Sequence, residues 1–183
     1  MPSTLPGPGP RVTRLAGEHV VLRALTASDA DWISAMLREP EVAAWWGDWY
    51  VERVVRELLG DDEEQWLAIE HEGEPAGIVG WWEEPDPQYH FAGVDVSLRT
   101  DRIGRGLGAD AVRTLARWLL SDGGHHRITI DPAASNARAI RCYERVGFRP
   151  VGVMREYESL RGERRDGLLM DLLASDLAAA EAC

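Results

Sequence analysis

Three glycines fall within five residues at Gly104-Arg105-Gly106-Leu107-Gly108. Glycine lets a chain turn tightly and bring successive N–H groups toward one point. With the positive end of a following helix, such groups donate to phosphate oxygens. The stretch lacks the Lys-Ser/Thr of a nucleoside triphosphatase loop, and it is not the Gly-x-Gly-x-x-Gly of a dinucleotide-binding unit. It therefore reads either as a phosphate cradle or as a turn that merely opens a helix. Further along, Asn136, Ile140 and Tyr143 fall at i, i+4 and i+7. One helix face then carries an amide, a hydrocarbon and a phenol. The phenol is either a proton donor or a core aromatic with a satisfied hydroxyl. Two aspartates complete the set. Asp95 alternates with Val94 and Val96, so on a strand it points away from both, and Asp131 stands at the exit of the next strand. Each is a carboxylate able to bind a cation or take a proton, or else a strand-end cap or surface charge.

The elements that must hold these groups follow from pattern. His19 to Leu25 reads as a strand, and Thr26-Ala-Ser-Asp29 supplies N-cap chemistry for a helix bearing Trp32, Ile33, Met36 and Leu37, with Pro40 as its stop. A second helix is expected over 51–59. Strands over 65–71 and 76–82 flank Glu72-Gly73-Glu74-Pro75, a hairpin signature. A loop over 83–90 leads to a strand over 91–99. The glycine-rich stretch then opens a long helix carrying Ala111, Val112, Leu115, Trp118 and Leu119. A strand over 126–130, a helix over 135–146, and strands over 151–159 and 164–172 about the Arg161-Gly162 turn complete the order. The last of these strands is a candidate sheet edge able to pair with a second subunit, so a monomer or a homodimer is expected. An Ala-rich tail follows. Residues 1–10, with four prolines and two glycines, read as a flexible tail before a single domain over 11–183. The class is α/β or α+β around one mixed sheet.

The chain of 183 residues holds 31 acidic and 20 basic side chains, a net charge of −11. That charge argues against a nucleic-acid or anionic-membrane partner and suits a cationic small molecule. Two cysteines, Cys142 and Cys183, are too few for a disulfide framework, and no metal-ligand spacing accompanies them. The first ten residues lack the apolar core of a secretory signal, and no apolar run approaches the roughly twenty residues of a membrane span. A cytoplasmic protein without a metal is expected.

Together the two motif stretches resemble the GCN5-related N-acetyltransferase superfamily. Asn136, Ala139, Tyr143, Gly147 and Phe148 match its Asn-x-x-Ala-x-x-x-Tyr and Gly-Phe signature. Gly106 and Gly108 match its Gln/Arg-x-x-Gly-x-Gly/Ala motif, with Ile103 where the family usually has Gln or Arg. The resemblance extends over about residues 11–173. It implies a central mixed, mostly antiparallel sheet of about seven strands flanked by helices, with acetyl-CoA as cosubstrate. It further implies coenzyme contacts from Val96, Ile103, Gly104, Arg105, Gly106, Leu107, Gly108, Asn136, Arg138 and Ala139.

Within the superfamily, three segments are similar to aminoglycoside 6′-N-acetyltransferases: 41–47 with Trp45-Trp46-Gly47, 81–87 with Trp81-Trp82-Glu83-Glu84, and 93–98 with Asp95; Ile130-Asp131-Pro132 before the 135–143 stretch with Tyr143 is equally similar. That similarity implies catalytic roles for Asp95, Asp131 and Tyr143. The aspartates would bind an ammonium group and accept its proton, and Tyr143 would donate to the departing thiolate, since a phenol of pKa about 10 is protonated at neutral pH. Cys142 has no base partner, so attack is expected to be direct rather than through an acyl-enzyme. Trp46 and Trp82, from an unusually tryptophan-rich set that includes Trp45, Trp49 and Trp81, are candidates to stack on a sugar, with Glu83 and Glu84 complementing ammonium groups. The bland reading of these loop residues is an acidic loop over packed indoles. The 155–170 segment instead resembles ribosomal-protein N-terminal acetyltransferases, and the Trp-Trp-Gly segment also resembles siderophore-type acyltransferases. The resemblance implies acetylation of an aminoglycoside amine, 6′ or else 2′, that confers antibiotic resistance; peptide, small-amine or siderophore acylation and a CoA-binding domain without turnover are the competing functions.

Overall fold

A computed structural model of the protein describes residues 12–47 and 65–182. The tail over 1–10, the helix expected over 51–59, Trp49 and Cys183 lie outside the described residues. The elements run β1 (Arg14–Ala16), β2 (Val21–Ala24), α1 (Ala30–Leu37), α2 (Pro40–Ala43), β3 (Gln65–His71), β4 (Glu74–Glu83) and β5 (Ala92–Leu98). There follow α3 (Leu107–Ser121), β6 (Ile128–Ile130), α4 (Ala137–Val146), β7 (Arg149–Leu160), β8 (Glu163–Leu172) and α5 (Ala174–Glu181). The strands form one sheet in the order β1-β2-β3-β4-β5-β6-β8-β7. Every neighbouring pair is antiparallel except β5 with β6. The mixed, mostly antiparallel sheet is the expected one, with the short β1 as an additional, eighth strand.

Helices cover both faces, which is why β3 and β4 read as near-continuous apolar runs rather than as clean alternation. On one face Leu67, Ile69, Val79, Trp81 and Val94 pack against Leu107, Ala111, Leu115 and Leu119, the i, i+4 stripe of α3. On the other, Trp66 and Ile78 pack against Ile33, Met36 and Leu37 of α1. Each large buried side chain contributes about 1.5–3 kcal/mol of transfer free energy, so these two stripes lock α1 and α3 to opposite sides of β4.

The parallel pairing of β5 with β6 comprises only Ala92↔Ile128 and Gly93↔Thr129. Beyond Gly93 strand β5 continues to Leu98 while remaining paired with β4. The sheet is therefore split along the later half of β5, and a cleft lined by Val96, Ser97 and Leu98 occupies that split.

Four expectations need correction. Pro40 does not merely stop α1; it is the first residue of α2, where its missing N–H costs nothing and its φ suits a helix. Strand β8 is interior, between β6 and β7, so β7 is the edge. The Ala-rich tail is helix α5, held by buried Leu177. Strand β4 runs through Glu83 instead of giving way to a loop there. Among the described residues, no helix is long and apolar enough to cross a membrane.

The β1–β2 turn is anchored to α3 by one buried carboxylate. Asp110 accepts from the backbone N–H groups of Glu18, His19 and Val20 at 3.1, 2.7 and 3.0 Å. Removing a buried anion leaves three donors without an acceptor, so Asp110→Ala is expected to lower unfolding free energy by about 2–4 kcal/mol in urea denaturation. A loss below about 1 kcal/mol would contradict that anchoring role.

Candidate active site

The cleft has two connected parts. The first, of about 330 Å³, lies between the free length of β5 (Val96, Ser97, Leu98), the glycine-rich loop, and α4 (Asn136, Arg138, Ala139, Arg141, Cys142, Tyr143, Arg145). The loop folds as its composition requires: Gly104 and Gly106 both adopt φ +81°, which side-chain-bearing residues rarely reach. Gly106 is the N-cap of the fifteen-residue α3. Asp110 N–H already bonds the Gly106 carbonyl at 3.0 Å, so the N–H groups before it are the ones turned to the helix mouth. At the start of α4 the Asn136 side chain accepts from Ala139 N–H at 3.1 Å. Asn136 is thus a helix cap that also lines the cavity.

The second part, of about 620 Å³, is bounded by Trp82, Asp95, Asp131, Tyr157 and Glu158. Trp45, Trp46, Val96, Asn136, Ala139 and Tyr143 line both parts. Tyr143 is 8 % exposed and stands at the junction. In the β4–β5 register Asp95 pairs with Gly80 and Gly93 with Trp82, so all four share the sheet face opposite Trp81. The indole of Trp66 lies over Gly80 and that of Trp82 over Gly93, where a methyl group would collide with either ring. Trp82 lines the cleft beside Gly93, whereas Trp66 is buried against α1.

Charge is divided along the cleft. Arg138, Arg141 and Arg145 line the first part, with Glu41 3.9 Å from Arg138. Asp95, Asp131 and Glu158 line the second. Burial pushes the Asp131 carboxyl above its ordinary value, opposed by the Tyr157 hydroxyl, which donates to it. Burial likewise raises Glu158, and the neighbouring Asp131 charge adds to the effect. Tyr143 is pushed far above the ordinary phenol value, first by burial and then by Cys142, Asp95 and Asp131. Its proton is therefore retained throughout the physiological range. Cys142 is raised as well, by burial, which disfavours a thiolate nucleophile.

Most residues singled out in the sequence meet here, and some do not. Arg105 is exposed and Leu107 is buried in the core, so neither side chain lines the cleft. Trp81 packs in the core edge-to-face with Trp118 at 5.4 Å and is not a cleft wall. Glu83 and Glu84 do not line the cavity. Alternation turns Glu83 to the face opposite Trp82, where it approaches His125. Glu84 instead accepts from Asp86 N–H at 3.1 Å.

Two acceptor-side residues, Tyr157 and Glu158, were not foreseen. Tyr157 lies within a register irregularity in β7 between Met154 and Glu158, and Glu158 is where pairing resumes. Within it Glu156 takes φ +52°, and its N–H donates to Asp166 at 2.8 Å. A bulge at a non-glycine residue leaves no mark in composition.

The acetyltransferase (GNAT) family's sequence profile matches residues 29–148, and the chain belongs to that family. An aminoglycoside N(6′)-acetyltransferase type 1 from Klebsiella pneumoniae is 33 % identical over 163 residues, covering 76 % of this chain and 78 % of that protein. A kanamycin resistance protein from Rhizobium radiobacter is 45 % identical over 76 residues, covering 40 % of this chain and 68 % of that one. Among solved structures, AAC(6′)-Ib in complex with paromomycin and acetyl-CoA superimposes with a TM-score of 0.72 at 26 % identity, covering 88 % of this chain and 97 % of that one.

The raised Asp131 has a consequence for stability. The folded state binds a proton at this carboxyl more tightly than the unfolded chain does. Stability from this group therefore falls as pH rises from the unfolded value through the raised folded one, and the cost persists at neutral pH. Asp131→Asn is expected to raise the melting temperature at pH 7, with the gain shrinking toward about pH 4 as the native carboxyl protonates. A lower melting temperature at pH 7 would contradict the burial argument.

Proposed function

We propose that the protein is an acetyl-CoA-dependent N-acetyltransferase that modifies an amino group of an aminoglycoside, the 6′ amine first among them, and so confers resistance. One observation carries this reading: a continuous cleft whose arginine-lined end suits an anionic coenzyme and whose carboxylate-lined end suits a polycationic acceptor, joined at a buried tyrosine. The aminoglycoside acetyltransferases among its relatives support the same assignment.

When bound, acetyl-CoA supplies an activated acetyl thioester. The N–H groups of the 103–108 loop and the mouth of α3 would hold its pyrophosphate, and Arg138 would add charge where Ile103 replaces the usual basic or amide side chain. Asn136 and Ala139 would bound the pantetheine arm. The backbone of Val96, on the length of β5 that has no partner strand on the cleft side, would polarise the thioester carbonyl. Asp95 and Asp131 would attract the ammonium group and take its proton directly or through water, leaving a neutral amine to attack. Tyr143, protonated because buried, would donate to the sulfur as it leaves. Transfer is direct, since the neighbouring thiol of Cys142 is held protonated. Trp46 and Trp82 would stack on sugar faces.

The pH profile follows from the same groups. As pH falls through the raised value of Asp131, its carboxylate takes a proton and ceases both to attract cations and to accept protons. The acid limb of kcat/KM is then expected above the ordinary carboxylate range.

Thiol release from acetyl-CoA, measured against kanamycin, tobramycin, a ribosomal N-terminal peptide and spermidine, tests the assignment. Turnover with an aminoglycoside is expected, falling about a hundredfold in Asp95→Asn and in Tyr143→Phe while acetyl-CoA affinity stays unchanged. Turnover confined to the peptide or the polyamine would overturn the substrate assignment.

A further inference from the structure

On the sheet face away from the cleft, Glu83, His90 and His125 bring three ligand atoms to within 4.8 Å of one another. They come from three segments: the end of β4, the loop before β5, and the connection between α3 and β6. His125 is 3 % exposed. Its Nδ1 lies 3.2 Å from the Leu119 carbonyl. A carbonyl only accepts, so this nitrogen carries the proton and the tautomer is set. Nε2, fully buried, has no hydrogen-bond partner, and the Glu83 carboxylate stands 3.5 Å from it. The His90 ring stacks on that of His125, with centroids 4.6 Å apart and planes inclined by 23°. An imidazole lone pair facing a carboxylate oxygen in a buried setting is unfavourable unless something positive lies between them.

We propose that Glu83, His90 and His125 bind a divalent transition-metal cation, with zinc the best match. Two imidazoles and one carboxylate form a donor set typical of zinc and poorly suited to magnesium or calcium, which prefer all-oxygen shells. The Leu119 carbonyl supplies the outer-shell contact that orients a ligating histidine. Donors about 2.1 Å from a tetrahedral zinc are about 3.4 Å apart, so the widest pair must close by up to about 1.4 Å, with water completing the shell. The site is separate from the acetyl-transfer cleft and plays no chemical part in it. Its ligand Glu83 adjoins Trp82, so an occupied site would tie one wall of the acceptor cavity to the end of α3.

The test uses tag-free, EDTA-treated full-length protein. Isothermal titration with Zn²⁺ and visible absorption of the Co²⁺ form are measured for the wild type and for Glu83→Gln, His90→Gln and His126→Gln. The expected result is one metal per chain, a visible band typical of tetrahedral cobalt, and a zinc-dependent rise in melting temperature. Affinity should fall at least about tenfold in Glu83→Gln and His90→Gln but stay unchanged in His126→Gln, a neighbour outside the cluster. Both ligand variants alter partly exposed side chains and spare buried His125, and circular dichroism checks their fold. Absence of stoichiometric zinc binding, or binding that survives both ligand substitutions in folded protein, would overturn the proposal. The second outcome would indicate adventitious coordination by other histidines.

Discussion

Strand β5 is hydrogen-bonded to β4 along its whole length but to β6 only over its first two residues. A strand in the middle of a sheet ordinarily has both edges satisfied, and leaving half of one edge open costs backbone hydrogen bonds that must be recovered elsewhere. The fold accepts that cost where the cleft lies. Val96, Ser97 and Leu98 present main chain to a cavity in place of a neighbouring strand. A ligand with amide and carbonyl groups along an extended arm is the natural partner for such an edge, and the proposed coenzyme carries that chemistry in its pantetheine. The positions of α3 and α4 follow from the same split, since each borders the gap and sends its N-terminal end toward it. The apolar stripe of α3 keeps the gap from collapsing, because its leucines are committed to the opposite side of the sheet.

Electrostatics turn this gap into a directional device. Arginines gather on α4, while carboxylates gather where β5, the exit of β6 and the bulged β7 converge. A net charge of −11 over the whole chain says little by itself, but its local arrangement says more. Desolvation raises the carboxyls of both Asp131 and Glu158, and the Asp131 charge raises Glu158 further. Partial burial of like charges is unfavourable, and a cation between them would relieve it. The same burial keeps the phenol of Tyr143 protonated, so the proposed proton acceptor and proton donor share one desolvated pocket.

The order of elements was legible because amphipathic periodicity is local: α3, α4 and the hairpins announce themselves through spacing of three, four or two residues. The motif positions Gly106, Gly108, Asn136 and Tyr143 were legible from turn chemistry or a single helix face, and Ala139 from the family resemblance. Features that depend on pairing between distant segments were not. Glu83 read as a cleft residue because it follows Trp82, yet β4 continues through it and alternation sends it to the opposite face. Leu107 lies inside the glycine motif but points into the core. Strand β8 looked like an edge because it comes last, whereas the chain places β7 outside it. Tyr157 and Glu158 reach the cleft only through an irregularity at Glu156, whose positive φ no residue-type preference foretells. The Ala-rich end lacked a long apolar stripe, so its helix became evident only from its packing against α3 and α4.

The central claim is that coenzyme and aminoglycoside occupy the two ends of one cleft and meet at Tyr143. A crystal structure of the protein with coenzyme A and kanamycin tests it most directly. The account predicts the pyrophosphate on the 103–108 loop, the sulfur within hydrogen-bond reach of the Tyr143 hydroxyl, and an aminoglycoside amine directed at that sulfur with Asp95 or Asp131 beside it. Coenzyme bound elsewhere, or an aminoglycoside whose amines all point away from the sulfur, would contradict it.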